Sequence, residues 1–384
     1  MRKTAKALIL TLLAVALVLT GCGGGSGSSS SPSPSPSADA SPTASPSSPS
    51  DGLPENVPAQ LREKWPIKIA VVRKIGGDDH TAQYLAGAKE EGEAMGFTVD
   101  TFSANGDSAK FHDTIQQVMN QDYDGIIISH GDDEATIEEV RQIVEKGIPV
   151  VTFDSIDGLK DIPGVTMTAQ DDFALAELSL GKLVEDFGGQ AKIVYLWVDG
   201  FPPMIRRNQI YQKILSENPG IQEIDRFGVA AADTSVQTQN AVAAMLTKYP
   251  KGQLDAIFAT WDAFAIGATR AVNEAGRQEV KIYGIDVSNA DLQAMQEENS
   301  PWVATAAVDP KMIGAVNVRL LAKKIAGEET PATYDLEAAL ITQEDLKKSS
   351  EPVNMVTLAN IIPGWGQTDA FEEDWMKALK EANK

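Results

Sequence analysis

Residues 67–97, IKIAVVRKIGGDDHTAQYLAGAKEEGEAMGF, decide how the rest of the chain is read. They open with a buried-strand pattern, Ile67 through Val72. A polar, glycine-bearing turn follows, from Arg73 to His80. The spacing then predicts a helix over 81–95, with Tyr84, Leu85, Ala88 and Met95 on one side and Gly96 as its stop. Strand, polar loop and helix make half of a parallel α/β unit. In open α/β sheets, ligands bind in the crevice beyond the carboxyl ends of the strands. Asp78, Asp79 and His80 therefore stand at the mouth of a candidate site.

The plan repeats along the chain. Strands are predicted at 98–103, 125–129, 148–153 and 165–168, with helices at 111–119 and 135–145 between them. A second series starts near Asp171. Its helices are predicted at 172–187, 204–216, 235–249 and 264–274, and its strands at 192–198, 223–229, 255–260 and 281–285. Polar residues follow most strands: His130 to Glu134, Asp154-Ser155, Trp261-Asp262 and Asp286. The fold class is α/β, two doubly wound parallel-sheet lobes, with a cleft between their strand exits.

What precedes residue 67 reads as an address. Met1 to Lys6 carries Arg2, Lys3 and Lys6 and no acid, and residues 7–20 are apolar apart from threonine. That describes a secretory signal, and the run is too short to span a bilayer. Residues 23–51, GGGSGSSSSPSPSPSADASPTASPSSPSD, cannot form a core and read as a tether. Residues 53–66 carry three prolines and read as an irregular lead-in.

Composition narrows the function. The 384 residues carry a formal charge of −21, which argues against nucleic acid. The single cysteine, Cys22, excludes an intrachain disulfide and any paired-cysteine zinc site. Three histidines leave little for a histidine-rich metal site, and no cofactor is implied. No GxSxG, HExxH, Walker A or GxGxxG segment is present, so no enzyme class is marked.

Four segments in order resemble the type I periplasmic sugar-binding proteins of ABC transporters, the ribose- and galactose-binding group. They are Asp78-Asp79-His80 with 85–88, residues 147–154 (GIPVVTFD), residues 258–268 (FATWDAFAIGA) and residues 283–286 (YGID). Leu19-Thr20-Gly21-Cys22 likewise resembles the bacterial lipobox, which implies cleavage before Cys22 and its lipidation. Cleavage would remove three cations and leave a charge near −24. The resemblance implies sugar contacts at the strand exits. Asp154 and Asp286 would accept hydroxyl protons from opposite lobes, Arg206 or Arg207 would donate, and Trp261 would cover a C–H face. Asp78, His80, Asp132, Asp233 and Asp262 fall at further ligand positions of the family. Ser155 stands where the family often has arginine, and Val308-Asp309 where it has glutamine, which favours a polyol or unusual sugar over ribose.

The resemblance also implies three crossings between lobes, placed near Ala169-Gln170, Ala307-Val308 and Leu340. The expected organisation is a signal peptide (1–21), a lipidated Cys22 with linker (22–66), a first lobe (67–169 with 308–340) and a second lobe (170–307 with 341–384). The tail from Gly364, with Trp365, Phe371, Trp375 and Leu379, is expected on the second lobe. The implied function is a monomeric, membrane-anchored, extracytoplasmic receptor that delivers a sugar or polyol to an ABC permease. A receptor for a sugar-like signal, or a carbohydrate-active enzyme using Asp154 and Asp286, are the alternatives; a DNA-binding regulator would need a basic headpiece where the signal and tether stand.

Overall fold

The computed structural model describes residues 52–384. The expected signal, Cys22 and the tether lie outside the described residues. In chain order the first series is α1 (Ala59–Lys64), β1 (Lys68–Arg73), α2 (Asp79–Ala94), β2 (Thr98–Ser103), α3 (Ser108–Val118), β3 (Gly125–Ser129), α4 (Glu134–Glu145), β4 (Val150–Phe153) and β5 (Val165–Gln170). The second is α5 (Asp172–Asp186), β6 (Ala191–Leu196), α6 (Pro202–Glu217), β7 (Ile221–Phe227), α7 (Thr234–Lys248), β8 (Ala256–Ala259), α8 (Asp262–Glu274), β9 (Lys281–Ile285), α9 (Asn289–Gln296) and β10 (Trp302–Ala307). After it come α10 (Pro310–Ile325), β11 (Thr333–Leu336), β12 (Ala339–Thr342), α11 (Gln343–Leu346) and α12 (Asp374–Ala382).

The strands form two sheets of matching order, β11-β5-β4-β3-β1-β2 and β12-β10-β9-β8-β6-β7. The first is parallel throughout; in the second only β12 runs antiparallel, against β10. Both faces of each sheet are covered, so central strands read as continuous apolar runs. β3, Gly-Ile-Ile-Ile-Ser, is buried at every position. In each sheet the chain reverses direction of winding beside the first strand of its series, between β1 and β3 and between β6 and β8. Those are the switch points at which open sheets leave a crevice.

α2, the helix of the opening stretch, packs against α10. The approach needs two glycines: a Cβ on Gly87 would come within 2.2 Å of the Lys311 carbonyl oxygen, and one on Gly314 within 2.3 Å of that of Tyr84. This pairing returns the chain to the first lobe after β10 and fixes the floor under the Asp78–His80 loop.

Three features differ from the sequence reading. The 53–66 lead-in contains α1, whose Leu61 joins Val57, Ile67 and Phe97 in the first lobe's core. The third crossing falls at Glu337-Ala338 rather than Leu340, because β12 pairs with β10 from Ala339 onward. The tail is divided. Trp365 packs in the second lobe's core, whereas Trp375, Met376 and Leu379 of α12 pack in the first, against the patch made by α1 and its neighbours. An amphipathic pattern reveals an apolar face but not which core it seals. Charge then fixes the dock: Arg319 Nε and Lys380 Nζ each lie 2.6 Å from Glu91 Oε1, and Trp375 Nε1 donates to Glu328 at 2.8 Å.

Candidate functional site

The switch points of the two sheets face each other across one cleft of about 470 Å³. The exits of β1, β3, β4 and β5 supply Arg73, His80, His130, Asp154 and Gln170. The second lobe supplies Phe201, Met204 and Arg207 from the β6–α6 loop and α6, Trp261 after β8 and Asp286 after β9. His130, Asp154 and Asp286 all have positive φ, at 64°, 47° and 74°. Non-glycine residues adopt this conformation at a cost, and such strain clusters at ligand clamps. Here it turns three side chains inward at the point where strands end.

Arg207 is the centre of the second lobe's charge. Its Nε donates to Asp172 Oδ1 at 2.8 Å, its Nη1 to the Thr260 carbonyl at 2.6 Å and to Asp286 Oδ2 at 3.1 Å. Gln170, at the first crossing, completes the group when its amide is oriented by its neighbours. Its nitrogen then donates to Asp286 Oδ1 at 3.3 Å and its oxygen accepts from Arg207 Nη2 at 3.2 Å. Arg206 does a different job. It donates through Nε to Asp172 at 2.8 Å and through Nη2 to Asp154 Oδ1 at 3.3 Å, joining the two lobes. A second bridge closes the opposite rim, where the Asn289 N–H donates to Asp79 Oδ2 at 3.0 Å. The lobes are therefore closed on each other.

Not every polar atom in this closed cleft is satisfied. Asp154 Oδ2 and His80 Nε2 are buried and have no hydrogen-bond partner within the protein. Burial, reinforced by Asp172, pushes the Asp154 carboxyl up to about 7 against the pull of three arginines. Burial likewise lowers His80 and His130, with Arg73 and Arg207 adding to the effect, so both imidazoles are held toward the neutral form. Arg73 is fixed by Thr81 (3.2 Å), by Ser129 (3.1 Å) and by the Tyr84 ring, 4.7 Å away. The opposite wall is apolar, made by Val198, Phe201, Pro203, Met204 and Trp261. Trp261 is propped edge-on by Phe264 at 5.6 Å.

Of the residues expected at the site, the structure brings His80, Asp154, Arg207, Trp261 and Asp286 together, with Arg206 immediately behind them. Four stand elsewhere. Asp132 is ion-paired with the buried Lys74. Asp233 is exposed and accepts from Gln237 of its own helix at 2.7 Å. Asp78 caps α2 by accepting from the Thr81 N–H at 2.6 Å. Asp78 and Asp262 both line a neighbouring cavity of about 540 Å³, with Asp291 and Arg270. Sequence reasoning missed Arg73, His130 and Gln170 as cleft residues. Arg73 is the last residue of β1, and His130, like Asp154, directly follows the last residue of its strand; that position was the available signal.

Asp262 and Asp291 face each other in the neighbouring cavity. Burial raises both carboxyls, Asp262 well above the usual range and Asp291 to about 7; Asp291, Asp78 and Asp286 add to this at Asp262, whereas at Asp291 hydrogen bonds with Ser288 and Asp262 oppose it and Asp79 and Asp286 reinforce it. A carboxyl raised on folding holds a proton that the unfolded chain releases at about 4, so its favourable contribution is lost as pH rises from ~4 through ~7. Asp291→Asn removes that loss. Its stability relative to the native chain is expected to improve between pH 5 and pH 8 in urea unfolding; a pH-independent difference would show that the pair does not share a proton.

Among the described residues no cluster of three or more His, Cys, Asp or Glu is arranged to hold a metal, and no helix is long and apolar enough to cross a membrane. A sequence profile described as the periplasmic binding protein domain matches residues 69–329. The ribose import binding protein RbsB of Escherichia coli is 24% identical over 263 residues, covering 67% of this chain and 84% of that one. A crystal structure of a sugar ABC transporter from Yersinia enterocolitica is 52% identical, with a TM-score of 0.83, and covers 85% of this chain and 98% of that one. A 5-methylthioribose transporter solute-binding protein from Thermotoga lettingae, solved with 5-methylthioribose, is 34% identical with a TM-score of 0.78, covering 82% and 98%. The two lobes, their matched sheets and these relatives agree: the chain belongs to the periplasmic binding protein family and is a solute-binding protein, not an enzyme.

Proposed function

We propose that this chain captures a small sugar or polyol between its lobes, on the outer side of a membrane to which a lipid on Cys22 tethers it, and delivers it as a monomer to an ABC permease. The observation that carries the ligand reading is the pair of unpartnered buried atoms, Asp154 Oδ2 and His80 Nε2, in a cleft that also holds Arg73, Arg207 and Trp261. Hydroxyl groups both donate and accept, so one ligand can satisfy a carboxylate, an imidazole and a guanidinium at once. Closing the lobes removes water and strengthens each of these contacts.

The ligand is further read as a pentose with an apolar arm. The wall of Val198, Phe201, Pro203 and Met204 offers nothing to a hydroxyl, and 5-methylthioribose of the Thermotoga lettingae relative pairs a sugar ring with a thioether. Isothermal titration with ribose, xylitol, allose and 5-methylthioribose tests both levels. Burying a methylthio group is worth about 1.5 kcal/mol, so 5-methylthioribose is expected to bind roughly tenfold more tightly than ribose. Equal affinities would remove the apolar arm but leave the sugar reading. Silence toward every sugar and polyol, or turnover of any of them, would overturn the sugar reading itself.

A further inference from the structure

The tail makes a fourth connection between the lobes, and it encloses a space behind the hinge. Residues 363–368 leave the second lobe's core at Trp365 and enter the first, where Arg319 Nη1 donates to the Thr368 and Ala370 carbonyls at 2.8 and 3.4 Å. On their way they roof a cavity of about 790 Å³. Its other walls are the second crossing (Val308, Asp309), the third crossing (residues 336–339) and the first turns of α10, including Met312. It shares no lining residue with the ligand cleft: Gln170 of the first crossing lines the cleft, whereas the second and third crossings line this cavity.

Rigid rotation about a hinge that separates two spaces widens one as it narrows the other. We propose that the hinge-side cavity is the space into which the lobes move when the cleft opens, and that the tail at 363–368 is the stop that limits this opening. The roof touches the moving part: a Cβ on Gly366 would lie 3.1 Å from Asp309 Oδ2, at the cap of α10. The closed arrangement also leaves the buried Trp365 indole N–H without an acceptor. An unpaired buried donor disfavours this arrangement relative to one in which the walls have moved to meet it. Closure is thus held by the cleft's bridges at Arg206 and Asp79, while the cavity sets how far they can part. The occupancy of the open state in turn scales the apparent affinity, because binding and release require it.

The test reads lobe separation without any ligand, so it stands apart from the ligand assignment. Fluorophores are placed on Asp113→Cys in α3 and Asn240→Cys in α7, both exposed, in a Cys22→Ser background, Cys22 being the single native cysteine. Met312→Trp, which fills the cavity, is expected to shorten the longest inter-lobe distances in single-molecule energy transfer. Met312→Ala, which enlarges it, is expected to lengthen them. Gln367→Trp fills the same cavity from the exposed roof and decides the matter if Met312→Trp fails to fold. Distance distributions identical to the parent, or shifted in the same direction by filling and by emptying, would overturn the proposal.

Discussion

Arg207→Met is expected to destabilise the folded chain by about 3–5 kcal/mol, the range for removing one partner from a buried charge cluster. Arg207 is 1% exposed and is the hub to which Asp172, Asp286 and the Thr260 carbonyl are tied. Methionine fills similar volume, so the loss is electrostatic rather than a cavity. Asp286 would lose its guanidinium in a site whose burial already raises the neighbouring Asp154, while Asp172 would keep only Arg206. Acid should therefore relieve part of the loss, because protonating an unpaired carboxylate removes its desolvation penalty. Urea unfolding at pH 5 and pH 8 measures this. A loss below about 1 kcal/mol at pH 8, the level of an exposed ion pair, would mean that water reaches the cluster.

Asp154→Ala is expected to act on binding instead. The carboxylate has one oxygen spent on Arg206 and the Gln170 N–H and the other unpartnered toward the cleft. Truncating one partner of a buried charged hydrogen bond costs about 2–5 kcal/mol, which is roughly a thirty- to several-thousand-fold loss of affinity. Folding should survive, since the substitution also removes a buried carboxyl repelled by Asp172. Titration of the tightest ligand measures the loss, with circular dichroism as the folding control. Affinity within twofold of native would move the ligand away from the β4 exit.

The fold was legible because its signals are local. β9 and α8 lie where the pattern puts them, since a run such as Lys-Ile-Tyr-Gly-Ile before a polar exit, or an apolar spacing that starts at Phe264, needs no distant information. The strand-exit rule likewise found Asp154, Trp261 and Asp286. It did not find Arg73, because an arginine closing a strand reads as an exposed edge, and only the fold shows that the edge is a cleft wall. Asp132 and Asp233, which the family resemblance implied, lie outside the cleft, one tied to Lys74 and one on the surface. β10, β11, β12 and α9 were not read at all. Their composition is weak, and what makes β11 and β12 strands is the edge each finds on a sheet already formed.

The return of α10, β11 and α12 to the first lobe has a consequence for biogenesis. That lobe's sheet gains its last strand only at Leu336, and its core is sealed only by residues as late as Leu379. The second lobe likewise gains its sixth strand only at Thr342 and buries residues as late as Trp365. The half that emerges first during synthesis therefore has to wait, with Val57, Leu61 and Phe97 uncovered, until almost the whole chain has followed it. A lobe that cannot complete itself early stays extended, and open to threading, until synthesis is nearly done.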